Sequence, residues 1–282
     1  TRPRSFGQPS VPVNQIIEES RLPWLYRPGG PMMVPPDAQM PYPRIISHRG
    51  FNTIAPENSL PAFAAALSLG AHEIELDVWP TSDGELLVCH DPTINRTSDG
   101  KGEISSLSRT MIEGLDAGSW FSKKFSGLRF AFLEDILRAF AGMVIFNIHV
   151  KSPAGAKSYD YTIMKKLIQT IDQYQCRDHA YIAGDQAVLE AARSVDPEIT
   201  RCFLAGQDNS QITDLAILYG CRKLHFFKPH FNHALISKAH EHGIKCNLFW
   251  SDEHDEARGF LDQDIDALLV NDLLRVMPLF QQ

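Results

Sequence analysis

A barrel of eight parallel strands, each followed by a helix, is the fold this sequence predicts, and three observations lead to it. From Arg44 to the end of the 282-residue chain, short β-branched and apolar runs alternate with stretches of helical periodicity. Two of those runs also carry polar residues at every second position, as strands with one face turned into a polar barrel interior would. Finally, no Gly-x-Gly-x-x-Gly follows the first strand, which turns the choice away from an open doubly wound sheet. The class is therefore α/β, a (β/α)8 TIM barrel, with an N-terminal extension and a small insertion.

The elements follow in order. Residues 1–43 are rich in proline ("RPGGPMMVPPDAQMPYP") with no sustained period, and read as an extension lying over the domain or partly disordered. The domain proper runs from 44 to 282. Its first strand is "RIISHR", and the helix over 58–70 has Asn58 as N-cap and Gly70 as stop. "EIELDVW" is the second strand. The linking "PTSDG" at 80–84 is too short for a helical crossover, so 85–91 is a candidate hairpin return and brings the strand candidates to nine. Residues 92–130 lack the strand–helix rhythm and read as an insertion at the barrel mouth. "VIFNIHVK", "HAYIAG", "TRCFLAG", "KLHFFKP", "IKCNLFW" and "DALLVND" complete the strands, with helical patterns at 160–175, 186–195, 232–242 and 253–263.

Composition narrows the function. With 44% hydrophobic and 22% charged residues the chain is ordinarily globular, and a net charge of −7 with scattered Lys and Arg gives no nucleic-acid surface. No apolar run reaches the length of a membrane span. Five cysteines, an odd number without a Cys-x-x-Cys, read as buried free thiols. A start at Thr1 reads as a processed or truncated product, so the compartment stays open between a secreted or periplasmic setting and a cytoplasmic one. The oligomeric state is open too.

The strands carry the chemistry. In the second, Ile74, Leu76 and Val78 share the face toward the helices, leaving Glu73, Glu75, Asp77 and Trp79 on the inner one. In "VIFNIHVK" the inner set is Ile145, Asn147, His149 and Lys151. Glu75 and Asp77 offer hard oxygen donors at a spacing suited to Mg²⁺ or Ca²⁺. Two runs end in histidine, His48 and His90, beside the fixed charges of Arg49 and Lys151. A proton donor, a proton acceptor, a cation-binding pair and two positive charges are what hydrolysis of a phosphate ester requires.

At this point the sequence resembles a known family. "HRGFNTIAPENSLPAF", "GAHEIELDVWPTSDGELLVCHDPTINRTSDGKGEISSLS", "LDAGSWF" and "FAFLEDIL" are similar to the glycerophosphodiester phosphodiesterases, densely over 45–137 and more loosely to the C-terminus. The resemblance implies His48 and His90 as the catalytic pair and Arg49 and Lys151 as phosphate ligands. It also implies Glu75 and Asp77 as metal ligands, with Glu57 and Asn58 supporting the site. The expected substrate is a small-molecule phosphodiester and the expected cofactor a divalent metal ion. One position departs: where the family writes Asn-Ile-Glu-Ile-Lys, this chain has "NIHVK", so His149 takes the place of a carboxylate ligand. An imidazole there moves the preference from Mg²⁺ or Ca²⁺ toward Mn²⁺ or Zn²⁺. "LFWSD" departs as well.

The leading expectation is metal-dependent hydrolysis of a glycerophosphodiester to a glycerol phosphate and an alcohol. Two alternatives stand beside it: lysophospholipase D-like action on a lipid, with Trp120, Phe121, Phe125 and Phe130 either as an apolar rim or as the insertion's own core, and a catalytically silent phosphate-binding barrel.

Overall fold

The computed structural model describes residues 33–204 and 211–280. Nine strands form one sheet: β1 Arg44–His48, β2 Glu73–Pro80, β3 Leu86–Val88, β4 Ile145–Val150, β5 Ala180–Gly184, β6 Arg201–Phe203, β7 Lys223–Phe227, β8 Lys245–Phe249 and β9 Ala267–Val270. Eight are parallel and close on themselves, because β1 pairs with both β2 and β9. The ninth, β3, runs antiparallel to the end of β2 with Val78 opposite Val88, outside the ring. Residues 85–91 are therefore the hairpin return, and their consequence is functional: the hairpin delivers His90 back to the barrel mouth.

Helices α1 Leu60–Ser68, α2 Arg109–Ile112, α3 Leu133–Phe140, α4 Tyr161–Gln173, α5 Gln186–Val195, α6 Ile212–Leu218, α7 His233–Glu241, α8 His254–Leu261 and α9 Leu273–Val276 make up the helical elements among the described residues. The alternation read from the sequence holds. Ile74, Leu76, Val78, Phe146, Ile148 and Val150 are at most 1% exposed and join the main core under the helices. Register places Glu75 beside Asn147 and Asp77 beside His149 on the inner face.

One boundary differs from expectation. Asn58 does not cap α1; Ser59 does, accepting from Ala62 N, and Asn58 sits in the left-handed region at φ 55°. A cap residue takes an extended backbone, whereas Asn58 turns to face β2. Gly70 ends the helix region at φ +86°.

The N-terminal end of the barrel is sealed by ions and by the preceding segment. Arg44, fully buried, bonds Glu73 Oε1 at 2.8 Å and Asp37 Oδ1 at 2.5 Å; Lys223 Nζ reaches the same Asp37 oxygen at 2.7 Å and Glu73 Oε1 at 3.3 Å. Tyr181 donates to Glu73 Oε2 at 2.5 Å. Burial opposes ionisation of Glu73, but Lys223 and Arg44 hold its carboxyl below the usual range. Met40 packs buried against Ile145, Tyr181 and Cys202. Within the extension expected at 1–43, residues 33–43 are thus built into the barrel floor; residues 1–32 lie outside the described residues.

The insertion has its own small core, where Ile94, Ile104 and Ile112 meet Leu87, Cys89 and Phe132, with Phe130 packed against them. Trp120, Phe121 and Phe125 stack edge to face at centroid distances of 5.7 Å. None of these four aromatics borders the mouth cavity, which favours the insertion-core reading over the apolar rim. All five cysteines are buried and free.

Candidate active site

A cavity of about 370 Å³ opens at the C-terminal ends of the strands, where barrels of this kind hold their chemistry. His48, Arg49, Glu75, Asp77, His90, His149 and Lys151 all border it. Of the residues singled out in the sequence, only Glu57 and Asn58 stand behind the cavity, supporting Arg49, Asp77 and Arg96.

The first strand ends as it does for steric and electrostatic reasons. Arg49 takes φ 56° and Gly50 φ +78°, turning the chain sharply after His48. A Cβ on Gly50 would lie 2.7 Å from the backbone of Ala62, so only glycine admits the approach of α1. The turn aims Arg49 N at Glu75 Oε2, 3.0 Å away, and its guanidinium at Glu57 Oε1, 3.0 Å, and Asp77 Oδ2, 3.3 Å. Arg49 Nε is buried and is the guanidinium atom that faces Asp77 Oδ2, without hydrogen-bond geometry. Lys151 Nζ contacts Asp77 Oδ1 at 2.8 Å.

Asp77 is the hub. Asn58 Nδ2 donates to its Oδ2 at 2.9 Å, and Asn58 Oδ1 accepts from Asp77 N at 3.2 Å. Burial alone would favour the protonated acid, but Lys151, His149 and Arg49 hold the carboxyl well below the usual range. Glu75 Oε1, Asp77 Oδ1 and His149 Nδ1 converge, with ligand atoms within 4.8 Å of one another and His149 Nδ1 3.1 Å from Asp77 and 3.7 Å from Glu75. Two carboxylates and an imidazole suit a divalent cation of borderline hardness. The donor set therefore fits one, provided the Lys151 ammonium yields its share of Asp77 Oδ1.

The two histidines have unlike surroundings. His48 is 8% exposed, and Phe249 packs edge-on against its ring at 4.8 Å. Its Nδ1 lies 2.8 Å from Asn271 Oδ1. Asn271 cannot turn around, because its Nδ2 donates to Asp252 Oδ2 at 2.9 Å and a carboxylate only accepts. Asn52 Nδ2 donates to the same Asn271 oxygen at 2.8 Å. The His48 proton is thereby fixed on Nδ1, and burial lowers its pKa, keeping the ring neutral with Nε2 as a free lone pair. His90 is more open, with its Nδ1 2.7 Å from Asp91 Oδ1. Arg96 clamps Asp91 and Glu57 together, and its hydrogen bond draws the Asp91 carboxyl down to about 2. Trp79 Nε1 anchors the His90 carbonyl at 3.1 Å.

Sequence reading missed this supporting shell. Asp91 and Arg96 stood inside the quoted "HDPTINRT" without a role, and Asn271 inside "VND". A third inner histidine, His225, lies under the cavity with Nε2 3.0 Å from Asn147 Nδ2 and 3.2 Å from Asn247 Nδ2; burial lowers it to about 3. The alternation in "KLHFF" placed it on the inner face and could have found it. Leu204, Phe227, Phe249 and Leu269 supply the apolar part of the cavity lining, and Ser152 donates to Asp185, which also borders it.

Comparison with known proteins gives the family and the fold. The chain is 29% identical over 230 residues to a glycerophosphodiester phosphodiesterase from Caldanaerobacter subterraneus, covering 81% of this chain and 93% of that one. Among solved structures, a glycerophosphodiester phosphodiesterase from Agrobacterium tumefaciens superposes with a TM-score of 0.71 at 25% identity, over 84% of this chain and all of that one. A phosphodiesterase from Oleispira antarctica, solved with its product sn-glycerol-3-phosphate, shares the fold at a TM-score of 0.78 and 23% identity, covering 86% and 98% of the two chains. Residues 48–274, from the histidine that ends β1 to α9, match the glycerophosphoryl diester phosphodiesterase family, and the chain belongs to it.

Proposed function

We propose that the protein hydrolyses a glycerophosphodiester to a glycerol phosphate and a free alcohol, with His48 as general base and His90 as general acid. The observation that carries the assignment is the pair of unlike partners on the two Nδ1 atoms, an amide oxygen on His48 and a carboxylate on His90. A neutral, buried ring whose Nε2 is a lone pair can take a proton from the attacking hydroxyl. The more open ring of His90, oriented by the Asp91 carboxylate at the edge of the cavity, is placed to deliver a proton to the leaving oxygen.

The phosphate would lie against Arg49 and Lys151, the two cations bordering the cavity. The nucleophile is water, or a neighbouring glycerol hydroxyl whose cyclic phosphate product water then opens with the roles of the two histidines exchanged; it loses its proton to His48 Nε2 as its oxygen bonds phosphorus. The bond to the departing alkoxide breaks, and that oxygen takes a proton from His90. Glu75, Asp77 and His149 would hold a divalent metal ion, which supplies Lewis-acid stabilisation of charge on the phosphoryl oxygens. Within the chain, Asn58 orients Asp77 toward that place, and Glu57 with Arg96 fixes Arg49 and Asp91 relative to each other.

Turnover of glycerophosphocholine, followed by phosphorus NMR with defined divalent ions after chelation, tests the reading. His48→Ala and His90→Ala should each lose about 10²–10⁴-fold while keeping native circular dichroism. Activity within a few-fold of the parent would remove that residue from proton transfer.

The apolar side chains Leu204, Phe227, Phe249 and Leu269 favour a second reading, lysophospholipase D-like cleavage of a lipid whose acyl chain would lie against them. A higher kcat/KM on lysophosphatidylcholine than on glycerophosphocholine, lowered selectively by Phe227→Ala, would place the enzyme there.

A further inference from the structure

We propose that His240, Cys246 and Asp266 form a second cation site, remote from the catalytic mouth, for a borderline-soft divalent ion of which Zn²⁺ is the type. The three residues come from α7, β8 and the turn into β9 at the N-terminal end of the barrel, and their ligand atoms lie within 4.8 Å of one another. Imidazole nitrogen, thiolate sulfur and carboxylate oxygen are the donor types that Zn²⁺ combines, typically at about 2.0–2.3 Å in a tetrahedral shell completed by water.

The donors are held on rigid elements. Cys246 N donates to Asp266 Oδ2 at 2.8 Å, and Asp266 N returns a bond to Cys246 O at 2.9 Å, so these two ligands are locked to each other through the backbone. Asp266 also faces β1, its carbonyl accepting from Arg44 N at 2.9 Å. His240 Nε2 lies 2.7 Å from Asp266 Oδ2. A tetrahedral ion between those atoms needs roughly half an ångström more separation, which a helix-borne ring with 33% of its side chain exposed can give. That exposure is also the entry path.

The sulfur is the second observation. Cys246 is fully buried and its thiol, like that of Cys221, makes no hydrogen bond among the described residues, but of these two only Cys246 has an imidazole and a carboxylate within ligand reach. A buried thiol without an acceptor, beside a carboxylate and an imidazole, is where a metal ion would replace a proton. The competing cation is Lys245, whose Nζ holds the other carboxylate oxygen, Oδ1, at 2.8 Å. It leaves Oδ2 to the site, and its 42% exposed side chain can swing to water as an ion enters. Binding forms one bond each to nitrogen, oxygen and sulfur, and the thiol proton leaves to solvent. The ion would tie α7 to β8 and β9 where the barrel floor is otherwise held by the buried ions around Glu73.

Titration of the full chain with Cd²⁺, read by thiolate-to-metal charge-transfer absorbance, isolates this site because the catalytic cluster contains no sulfur. A band saturating at one equivalent, displaced by Zn²⁺, lost in Cys246→Ser and retained in Cys202→Ser, is the expected result. His240→Ala should weaken Cd²⁺ binding at least about tenfold, abolish the rise in melting temperature that Zn²⁺ gives the parent, and leave turnover unchanged. Absence of the band in the parent protein, or its persistence in Cys246→Ser, overturns the proposal. Should Cys246→Ser fail to fold, an affinity unchanged in His240→Ala overturns it equally.

Discussion

Asn271 offers the sharpest test of how the catalytic base is prepared. Its Oδ1 accepts the His48 Nδ1 proton at 2.8 Å, and Asp252 locks its amide in that orientation. Asn271→Ala removes the acceptor and leaves a donor on an 8%-exposed ring unpaired. An unpaired buried donor costs about 1–3 kcal/mol. The ring escapes that cost by turning or by moving its proton to Nε2, and either change takes the lone pair away from the nucleophile. If that energy appears in the transition state, kcat/KM falls by roughly 5- to 150-fold at about 1.4 kcal/mol per decade, with the loss in kcat. Asn271→Asp keeps an acceptor but replaces the amide with a charge. Burial holds the His48 pKa down, so with His48 as the base the acidic limb of the kcat/KM profile should lie below the ordinary histidine range. A carboxylate beside the ring favours its protonated form, so in Asn271→Asp that limb should move to higher pH while turnover at alkaline pH partly recovers. Stopped pH–rate profiles of the three proteins on one substrate, with melting temperatures alongside, provide the measurement. An Asn271→Ala enzyme within twofold of the parent, with its acidic limb unmoved, would refute the chain from Asp252 to His48.

Four further outcomes follow from the packing and the site. Glu73→Gln leaves Arg44 and Lys223 buried without their shared carboxylate, and should destabilise the barrel by about 3–5 kcal/mol in urea titration; deletion of residues 1–40 removes Asp37 and Met40 from the same floor and should lower the melting temperature too, contrary to what the proline-rich texture suggests. Gly50→Ala sets a Cβ against the Ala62 backbone at 2.7 Å with φ +78°, and an unfolding free energy within about 1 kcal/mol of the parent would contradict the strain argued there. His149→Glu adds one negative charge and a harder donor beside Glu75 and Asp77, and should shift metal preference from Zn²⁺ or Mn²⁺ toward Mg²⁺ or Ca²⁺; superimposable binding isotherms for the four ions would show that His149 does not touch the cation.

What the sequence displayed and what it concealed divide along a physical line. Period-2 alternation in β2 and β4 displayed which side chains enter the barrel, because one-residue slips would invert both faces at once. Hence Glu75, Asp77, His149 and Lys151 could be placed before any coordinates. The hairpin character of 85–91 was legible in the shortness of 80–84, since a parallel crossover needs more chain. Partners across long separations were not legible. Asn271 meets His48 over 223 residues, and Lys223 meets Glu73 over 150. Nothing local to "VND" or "KLHFF" distinguishes a residue that orients a catalytic ring from one that ends a strand. Asn58 shows the same limit at short range: its type and place before a helix fit an N-cap, but its positive φ and its two bonds to Asp77 serve the strand opposite.

Charge inside this barrel is therefore arranged in two storeys on the same strands, and the spacing explains why one is structural and the other reactive. Glu73 and Glu75 are neighbours on the inner face of β2, two residues apart. At Glu73 every lone pair that matters is met by Arg44, Lys223 and Tyr181 with no solvent contact, so the group is fixed and inert. At Glu75 and Asp77 the partners are Arg49, His149 and Lys151, each partly open to the cavity, where the two cations can turn to a phosphate oxygen and the imidazole to a metal ion. Between the storeys, His225 with Asn147 and Asn247 separates the two sets of ions by neutral polar groups. Burial keeps His225 uncharged down to about pH 3, so the layer adds no charge that would couple the floor to the site. A substitution in the floor should therefore appear in stability, and one in the mouth in turnover, even where the two residues are next neighbours on one strand face.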